Sequence, residues 1–246
     1  MCDTCGCGDP EIVPLDIQDD ILAGNRQRAA HNREHFRDHG VFAVNLMGSP
    51  GAGKTAVLEA TARRLGAGVR CGALAGDLAT DRDAARLTRA AVPALSITTG
   101  SACHLDAKMV HESLHHFPDW SALDYLFIEN VGNLVCPAVY DLGQDVNVVA
   151  LAVTEGEDKP VKYPVMFRKA DLVLLTKVDL LPHLRHMDVD AVLDGIAQVM
   201  PANHVIRFSA ETGEGVDEWL QWLAARRAPQ TDRRAALYGP PEHHHV

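Results

Sequence analysis

Seven short apolar runs recur along the chain after residue 40, and stretches of helical length separate most of them. The runs cover residues 41–47, 69–75, 94–99, 125–130, 146–153, 172–177 and 204–210. The intervening stretches include 56–65 and 188–200. Nearly continuous apolar strands that alternate with helices are typical of a mainly parallel sheet covered on both faces. The pattern therefore predicts a doubly wound α/β fold.

Both ends of the chain depart from this alternation. Residues 16–39 have a polar, helical pattern with a thin apolar stripe that includes Ile17, Ile21, Ala29 and Phe36. Gly40 is expected to end this helix. We predict a flexible cysteine motif over 1–15, a helix over 16–39, the main domain over 40–227 and a loose, proline-containing tail over 228–246.

Composition and charge restrict the partners. The 246 residues carry 23 Lys and Arg against 33 Asp and Glu, a formal net charge of −10. So acidic a protein is a poor general partner for nucleic acid or an anionic membrane. No apolar run approaches the roughly 18 residues of a membrane-spanning helix. The N-terminus lacks the basic flank and apolar stretch of a secretory signal. We expect a cytoplasmic, globular protein.

The segment GSPGAGKT, residues 48–55, follows the first predicted strand and opens a helix. Its spacing, G-x-x-x-x-G-K-[ST], is the P-loop pattern, in which small residues let backbone N–H groups surround phosphates. The helix N-terminus adds partial positive charge. Lys54 can reach the β- and γ-phosphates, and the Thr55 hydroxyl can ligate Mg²⁺. The predicted phosphate-binding residues are Gly48, Gly51, Ala52, Gly53, Lys54 and Thr55.

A nucleotide site with Mg²⁺ needs an acidic residue close to the metal, normally at the carboxyl end of a strand. Asp77 follows the second strand and Glu129 ends the fourth. Both are candidates for the magnesium site, Glu129 through a water molecule. The alternative is that each is an ordinary solvated loop acid.

The sequences TKVD and SAETGEG, at the ends of the sixth and seventh strands, predict the base. The Asp179 carboxylate can accept hydrogen bonds from guanine N1–H and its 2-amino group, which adenine does not offer. Lys177 can lay its stem over the base. The backbone of Ser209 and Ala210 can donate to guanine O6. These residues favour guanine over adenine.

Three of the six cysteines, Cys2, Cys5 and Cys7, lie within the first seven residues. Such short loops suit a disulfide poorly, whereas three thiolates with the terminal amine suit square-planar Ni²⁺ or tetrahedral Zn²⁺. A tail with chance cysteines is the alternative.

A second candidate metal site combines Cys103 and His104, after the third strand, with Cys136, shortly after the fourth. Their loops are expected at the same sheet edge as the phosphates. The alternative is a packed thiol beside a surface imidazole. Cys71 lies inside a strand and is expected in the core. Histidines along the helices are expected to be mostly solvated, and the role of His243, His244 and His245 stays open.

Taken in order, eight segments resemble those of the hydrogenase nickel-incorporation GTPases, the HypB family within the SIMIBI class of P-loop GTPases. They span nearly the whole chain: MCDTCGCG, GSPGAGKT, GDLATDRDAARL, TGSACHLDA, FIENVGNLVCPA, VTEGEDKPVKYPVMF, LLTKVDLLP and SAETGEG. The resemblance implies that the N-terminal cysteines correspond to the tight nickel site of some members. It matches Cys103, His104 and Cys136 to a weaker Ni/Zn site near a subunit interface. It places Thr55, Asp77 and Glu129 where Mg²⁺ is expected.

Three departures from the family pattern stand out. Thr176 replaces the asparagine of many GTPases, although its hydroxyl can still hydrogen-bond toward the P-loop. Glu211 replaces a common lysine. The histidine-rich stretch of some members is missing, which argues against bulk nickel storage.

The resemblance implies a GTPase that couples GTP binding, hydrolysis and homodimerisation to Ni²⁺ delivery. The recipient would be a hydrogenase large-subunit precursor, reached through a small zinc or nickel metallochaperone. Lys54, Thr55, Asp77 and Glu129 would serve slow hydrolysis, since no glutamine or arginine finger is evident. Lys159 would reach the partner's nucleotide, unless it is simply solvated. Two alternatives remain open: a regulatory GTPase with structural zinc, and a small-molecule kinase.

Overall fold

The computed structural model describes residues 15–66, 68–77, 82–100 and 102–238, with side chains from residue 22 to residue 227 within these ranges. The cysteine motif at Cys2, Cys5 and Cys7 and the histidines at 243–245 lie outside the described residues.

The described residues contain one seven-stranded sheet, and every strand pair in it is parallel. The strands are β1 Phe42–Met47, β2 Cys71–Asp77, β3 Ala94–Thr98, β4 Tyr125–Glu129, β5 Val146–Ala152, β6 Leu172–Thr176 and β7 Val205–Phe208. Their spatial order is β3-β2-β4-β1-β5-β6-β7, so β1 is the central strand. The predicted parallel, doubly wound fold is confirmed.

Helices connect these strands and cover the sheet. They are α1 Leu15–His39, α2 Lys54–Arg64, α3 Arg82–Arg89, α4 Ala107–Leu114, α5 Lys159–Lys162, α6 Pro164–Arg168, α7 Val189–Val199 and α8 Val216–Tyr238. Within the described part of the chain, none of the helices is both long and apolar enough to cross a bilayer.

Side chains that alternate along β1 enter two different cores. Val44 packs with α2 and α8 on one face of the sheet, around Leu58 and Trp219. Ala43 packs with α1 and α4 on the opposite face, around Phe36. Because successive residues of a strand point to opposite faces, a strand that is apolar throughout must be covered on both. A third apolar cluster lies beneath α6 and α7.

Helix α1 buries two residues of the predicted stripe, Ala29 and Phe36. The side chains of the other two, Ile17 and Ile21, lie outside the described residues. Asn32 is also buried and donates from Nδ2 to the Ala107 carbonyl (2.8 Å) and the Leu142 carbonyl (3.0 Å). The helix ends at Gly40, whose φ of 64° is in the left-handed region. The amides of residues 40 and 41 return to the carbonyls of residues 37 and 36, a Schellman ending.

Helix α8 continues to Tyr238. The predicted boundary at residue 227 therefore falls inside a helix. Pro229 removes one backbone N–H, but alanine, arginine and glutamine around it are strong helix formers.

Candidate nucleotide and metal sites

The P-loop connects the central strand β1 to the first turn of α2. Gly48 has a φ of 148°, and a Cβ there would lie 2.4 Å from the Ala150 carbonyl oxygen of β5. Real Cβ atoms do not approach a carbonyl oxygen so closely, so this position excludes a side chain. The loop therefore presents backbone amides and the N-terminus of α2 to its surroundings, as a phosphate-binding loop requires.

The P-loop lysine is almost fully buried, with 7% of its surface exposed. Its Nζ donates to the carbonyl oxygens of Gly48 (3.2 Å) and Ser49 (3.1 Å). Burial lowers the pKa of Lys54, while the nearby carboxylates of Glu129 and Asp83 act in the opposite direction. The cation thus lies inside the loop, surrounded by acidic groups.

Two carboxylates converge on the P-loop threonine. Thr55 Oγ1 donates to Glu129 Oε1 (2.8 Å) and lies 3.0 Å from Asp83 Oδ1. Burial raises the pKa of Glu129 to about 7, partly offset by the Thr55 hydroxyl and the Lys54 charge. Glu129 Oε2 is buried and has no hydrogen-bond partner among the described residues.

This donor set suits a magnesium ion. Mg²⁺ prefers hard oxygen ligands, and in nucleotide sites it takes one or two carboxylates together with phosphate oxygens. A hydroxyl and two carboxylates, one of them with an orphaned buried oxygen, meet that requirement. Asp77 contributes to the lining of the same cavity. Sequence reasoning missed Asp83, although it lies in the same segment as Asp77, in the first turn of α3.

A cavity of about 500 Å³ lies over these groups. Its lining comes from the P-loop, the ends of β2 and β4, and α3: it includes Gly51, Gly53, Lys54, Thr55, Asp77, Asp83, Arg86, Glu129, Asn130 and Lys177. In open α/β sheets, ligands bind in the crevice outside the carboxyl ends of the strands. The cavity occupies that position.

The residues predicted to read the base also come together. Thr176 Oγ1 donates to the Ala52 carbonyl at 2.6 Å, the contact toward the P-loop that its hydroxyl allows. Lys177 adopts a left-handed φ of 60° and lines the cavity. Ser209 Oγ donates to Asp179 Oδ1 at 2.6 Å. The loop ending in Ala210 therefore lies beside the acid that would bind guanine.

The second predicted metal set is assembled from two loops. Cys103 Sγ lies 2.8 Å from Cys136 Sγ and 3.9 Å from His104 Nδ1. One ligand atom from each of the three residues lies within 4.8 Å of the others. The His104 ring stacks on Tyr140 with 3.8 Å between centroids. Two soft thiols and an imidazole suit Ni²⁺ or Zn²⁺.

The surroundings of this thiol site, defined as Cys103, His104 and Cys136, are partly apolar. Burial and the neighbouring Cys103 raise the pKa of Cys136 to about 11. Val135 and Val139 flank Cys136 and remain 54% and 49% exposed. Exposed valines beside a ligand set form an apolar edge on this part of the surface.

One segment, residues 129–136, links the thiol site to the nucleotide cavity. It begins at Glu129 and ends at Cys136. The backbone N–H of Asn133 donates to the Gly48 carbonyl of the P-loop (3.1 Å). A Cβ on Gly132 would lie 2.8 Å from Pro50 N, so the segment lies directly against the P-loop. We call residues 129–136 the linking segment.

The linking segment also holds the loop that carries the other two ligands. Asn130 Oδ1 accepts from the backbone amide of Leu105, the residue after His104, at 3.1 Å. Its Nδ2 donates to Asn45 Oδ1 of β1 at 3.1 Å. Both halves of the thiol site are therefore attached to residues that line or adjoin the nucleotide cavity.

Three further residues, Glu155, Lys159 and Cys71, differ in how they relate to the nucleotide cavity. Glu155 was not predicted; its charge raises the pKa of Lys54, and its Oε2 is buried without a hydrogen-bond partner among the described residues. Lys159, predicted to act on a nucleotide, lies on α5 with Nζ 5.3 Å from the Tyr163 ring centroid. It is not among the residues that line the described cavity. Cys71 is partly buried at the start of β2.

The central strand, the P-loop, the carboxylates around Thr55 and the loops at Thr176 and Ser209 define a P-loop nucleotide-binding protein. Comparison with known proteins agrees: the model of the family described as "CobW/HypB/UreG, nucleotide-binding domain" matches residues 42–207.

Curated relatives give a narrower assignment. The hydrogenase maturation factor HypB of Azotobacter vinelandii is 50% identical over 220 residues, covering 89% of this chain and 72% of the relative. HypB of Escherichia coli K12 is 46% identical, covering 87% and 73%. The chain belongs to the HypB family of hydrogenase maturation factors.

Solved structures are also similar. HypB from Archaeoglobus fulgidus superposes with a TM-score of 0.77 at 41% identity, covering 84% of this chain and all of that one. HypB from Helicobacter pylori, solved in complex with nickel, gives a TM-score of 0.79 at 37% identity, with 84% and 96% covered.

Proposed function

We propose that this protein is a GTP-hydrolysing nickel metallochaperone that couples its nucleotide state to Ni²⁺ delivery during hydrogenase maturation. The observation that carries the proposal is the linking segment, which joins the acid under the P-loop to a ligand of the thiol site. Its contacts with Gly48, Pro50 and Leu105 make the two sites neighbours through one short piece of backbone.

In the nucleotide site, the P-loop amides and Lys54 bind the phosphates, and Asp179 and Lys177 select guanine. Thr55, Glu129 and the two acids Asp77 and Asp83 would hold Mg²⁺. The metal, when bound, neutralises charge on the β- and γ-phosphates. The chain's own contribution is to position the triphosphate and exclude competing bases. Such a site supports slow intrinsic hydrolysis, which is appropriate for a switch.

The nickel ion is the cargo, and Cys103, His104 and Cys136 hold it. Zn²⁺ fits the same donors. Cys2, Cys5 and Cys7 form a second, tighter site. The nickel complex of the Helicobacter pylori relative and the similarity to hydrogenase maturation factors support this role. Recipients are a small metallochaperone and, through it, a hydrogenase large-subunit precursor.

Coupling follows if the γ-phosphate shifts the linking segment and thereby changes the separation of Cys136 from Cys103. Linkage requires reciprocity: if GTP weakens nickel binding by some factor, nickel weakens GTP binding equally. Typical coupling free energies are about 1–3 kcal/mol. The exposed Val135 and Val139 suit burial in a GTP-dependent homodimer, in which Lys159 would contact the partner's nucleotide.

A nickel titration of the full chain tests the proposal, first with GDP and then with a non-hydrolysable GTP analogue, while molecular mass is measured. Two binding steps are expected, of which the weaker shifts with nucleotide and accompanies a monomer–dimer change. The variant Cys136→Ser should lose that step and keep nucleotide binding. The variant Cys2→Ser/Cys5→Ser/Cys7→Ser should lose only the tighter step.

Equal nickel affinities with GDP and with the GTP analogue would contradict the coupling. The protein would then be a GTPase with a structural metal ion. Lys159 has a separate test: if Lys159→Ala leaves both hydrolysis and dimerisation unchanged, its role across the interface is wrong.

A further inference from the structure

Five histidines lie on two helices that pack together outside the sites described above. His31, His35 and His39 recur every four residues on α1, so they lie on one face of that helix. His111 lies on α4, and His115 follows its last turn. These side chains are mostly solvated, as expected, with His31, His39 and His115 exposed and His35 and His111 only partly buried. The packing of α1 on α4 nevertheless brings them together. We call His31, His35 and His111 the histidine cluster.

The rings of the histidine cluster are close enough to share one ion. A ring nitrogen from each lies within 4.8 Å of the other two. The ring centroids of His31 and His35 are 4.2 Å apart, and that of His111 lies 5.1 Å and 5.7 Å from them. None of the three side chains is buried, so each can reach an ion from solvent.

Asn32 determines which nitrogen of His111 carries its proton. The Asn32 Nδ2 group donates to two main-chain carbonyls, so the orientation of its amide is set. Its Oδ1 lies 3.1 Å from His111 Nδ1 and can only accept a hydrogen bond. A hydrogen bond there places a proton on Nδ1, and in the neutral ring this leaves the lone pair on Nε2. Metal-binding histidines commonly have this arrangement, with one nitrogen donating to a neighbour and the other ligating.

His115 supplies a further imidazole beside that lone pair, with 3.3 Å between the Nε2 atoms of His111 and His115. With metal–nitrogen bonds of 2.0–2.1 Å, two nitrogens in a tetrahedral Zn²⁺ site are about 3.3 Å apart. The separation observed here is therefore compatible with two ligands of one ion. Imidazole nitrogen is a good donor for both Zn²⁺ and Ni²⁺.

We propose that His31, His35 and His111 bind one divalent transition-metal ion, Ni²⁺ or Zn²⁺, with His115 in contact with the ligand His111. This site uses nitrogen ligands alone and shares no residue with the thiol site. An ion there joins α1 to α4. Because α4 begins directly after the loop that carries His104, the site connects the N-terminal helix to the support of the thiol site.

The experiment must isolate this site from the other metal-binding groups. A full-length parent variant carries serine at Cys2, Cys5, Cys7, Cys103 and Cys136, and glutamine at His243, His244 and His245. It is titrated with Ni²⁺ alone and with Zn²⁺ alone by calorimetry. We expect one ion per chain and a metal-dependent rise in Tm. Guanine-nucleotide binding by the same sample checks that the domain is folded.

Adding His31→Gln and His35→Gln to the parent should weaken the binding at least tenfold and abolish the rise in Tm. The matched control adds His183→Gln and His186→Gln, two exposed histidines in the loop after β6, and should change neither result. Unchanged affinity in the His31/His35 variant would overturn the proposal, as would a parent that binds no ion.

If the parent fails to fold, the natural sequence with only His31→Gln and His35→Gln provides the second measurement. It should bind one metal ion fewer per chain than the unmodified protein at saturation. An equal number of ions would overturn the proposal. This count does not depend on nucleotide, so it stands apart from the test of nickel delivery.

Discussion

The P-loop and the thiol site lie close to the same edge of the sheet, yet they are built in different ways. The P-loop is eight consecutive residues whose backbone is constrained from below by β5, as the approach of Gly48 to Ala150 shows. The thiol site combines Cys103 and His104 with Cys136, which lies 33 positions after Cys103, and all three residues are only partly buried. The first site is a property of one segment, whereas the second exists only when two segments are correctly positioned.

This difference implies that the two sites fail differently. Damage to the P-loop should remove nucleotide binding directly. Damage to the thiol site should remove metal and leave the nucleotide in place. Changes in the linking segment should affect metal binding only by altering the position of Cys136. Five substitutions separate these cases.

The largest effect is expected from Lys54→Ala, which removes the only P-loop side chain able to neutralise the β- and γ-phosphates. The loss of one such preorganised group costs about 100- to 1000-fold in rate. Steady-state GTP hydrolysis measures it. Lys108→Ala, an exposed lysine on α4, is the control and should hydrolyse GTP normally. A Lys54→Ala protein with normal turnover would contradict the assignment of the site.

The substitution Asp179→Asn should lower the affinity for guanine nucleotides by about 10- to 100-fold, since it replaces a charged hydrogen-bond acceptor with a donor. It should also improve binding of xanthosine nucleotides, whose 2-oxo group accepts that donor. Competition between GDP and XDP measures the change. If Asp179→Asn keeps its preference for GDP, Asp179 does not read the base.

For the thiol site, Cys136→Ser should reduce nickel affinity by at least about tenfold. Mutating a residue that only hydrogen-bonds to a metal ligand already lowers metal affinity by about 10- to 100-fold. Affinity for GDP should stay within twofold of the unmodified protein, and both are measured by titration. The partly buried Cys71→Ser is the control, since Cys71 belongs to no metal-binding group in the described chain. A parallel loss of GDP binding would remove the contrast between the two sites.

Backbone constraint in the P-loop predicts a loss of stability in Gly48→Ala. The new Cβ meets the Ala150 carbonyl, and the strained φ alone costs about 1–3 kcal/mol of unfolding free energy. Denaturant unfolding measures it. Gly51→Ala is the matched control: it also has positive φ, at 78°, but its Cβ would meet no atom within 4 Å. An equal loss of unfolding free energy in the two variants would show that the contact with β5 does not contribute to stability.

The smallest effect is expected from Asn133→Ala in the linking segment. Asn133 Oδ1 accepts from the Val135 amide at 2.7 Å and so shapes the turn that precedes Cys136. Loss of one such hydrogen bond is worth about 1 kcal/mol, or roughly a fivefold change in nickel affinity. No metal ligand is removed. A nickel titration with unchanged affinity would show that this turn does not position Cys136.

Most of the nucleotide site was predictable because its signals are contiguous. The P-loop spacing and the TKVD sequence each occupy a few neighbouring residues. Glu129 was a candidate because it ends an apolar run. Asp83 was missed because its role depends on where α3 begins and how that helix faces Thr55. Glu155 was missed because only the packing of its loop brings it near Lys54.

The metal sites show the limit of the same reasoning. The sequence predicts that Cys103 and Cys136 lie close together because both follow strands, and parallel strands end at the same edge of a sheet. His31 and His111 carry no such signal, since they lie in the middle of polar helices with ordinary spacing. Which face of α1 packs on α4 decided their proximity.

The sequence alone was sufficient for the alternation of strands and helices, the parallel sheet, the phosphate loop and the end of α1 at Gly40. These features depend on local periodicity, glycine stereochemistry and short spacing, which a linear chain displays. Tertiary structure decided the contact between the linking segment and the P-loop, the orphaned oxygen of Glu129 and the contact between His111 and Asn32. These depend on long-range packing, which sets the neighbours of a side chain and therefore its burial, its hydrogen bonds and its charge.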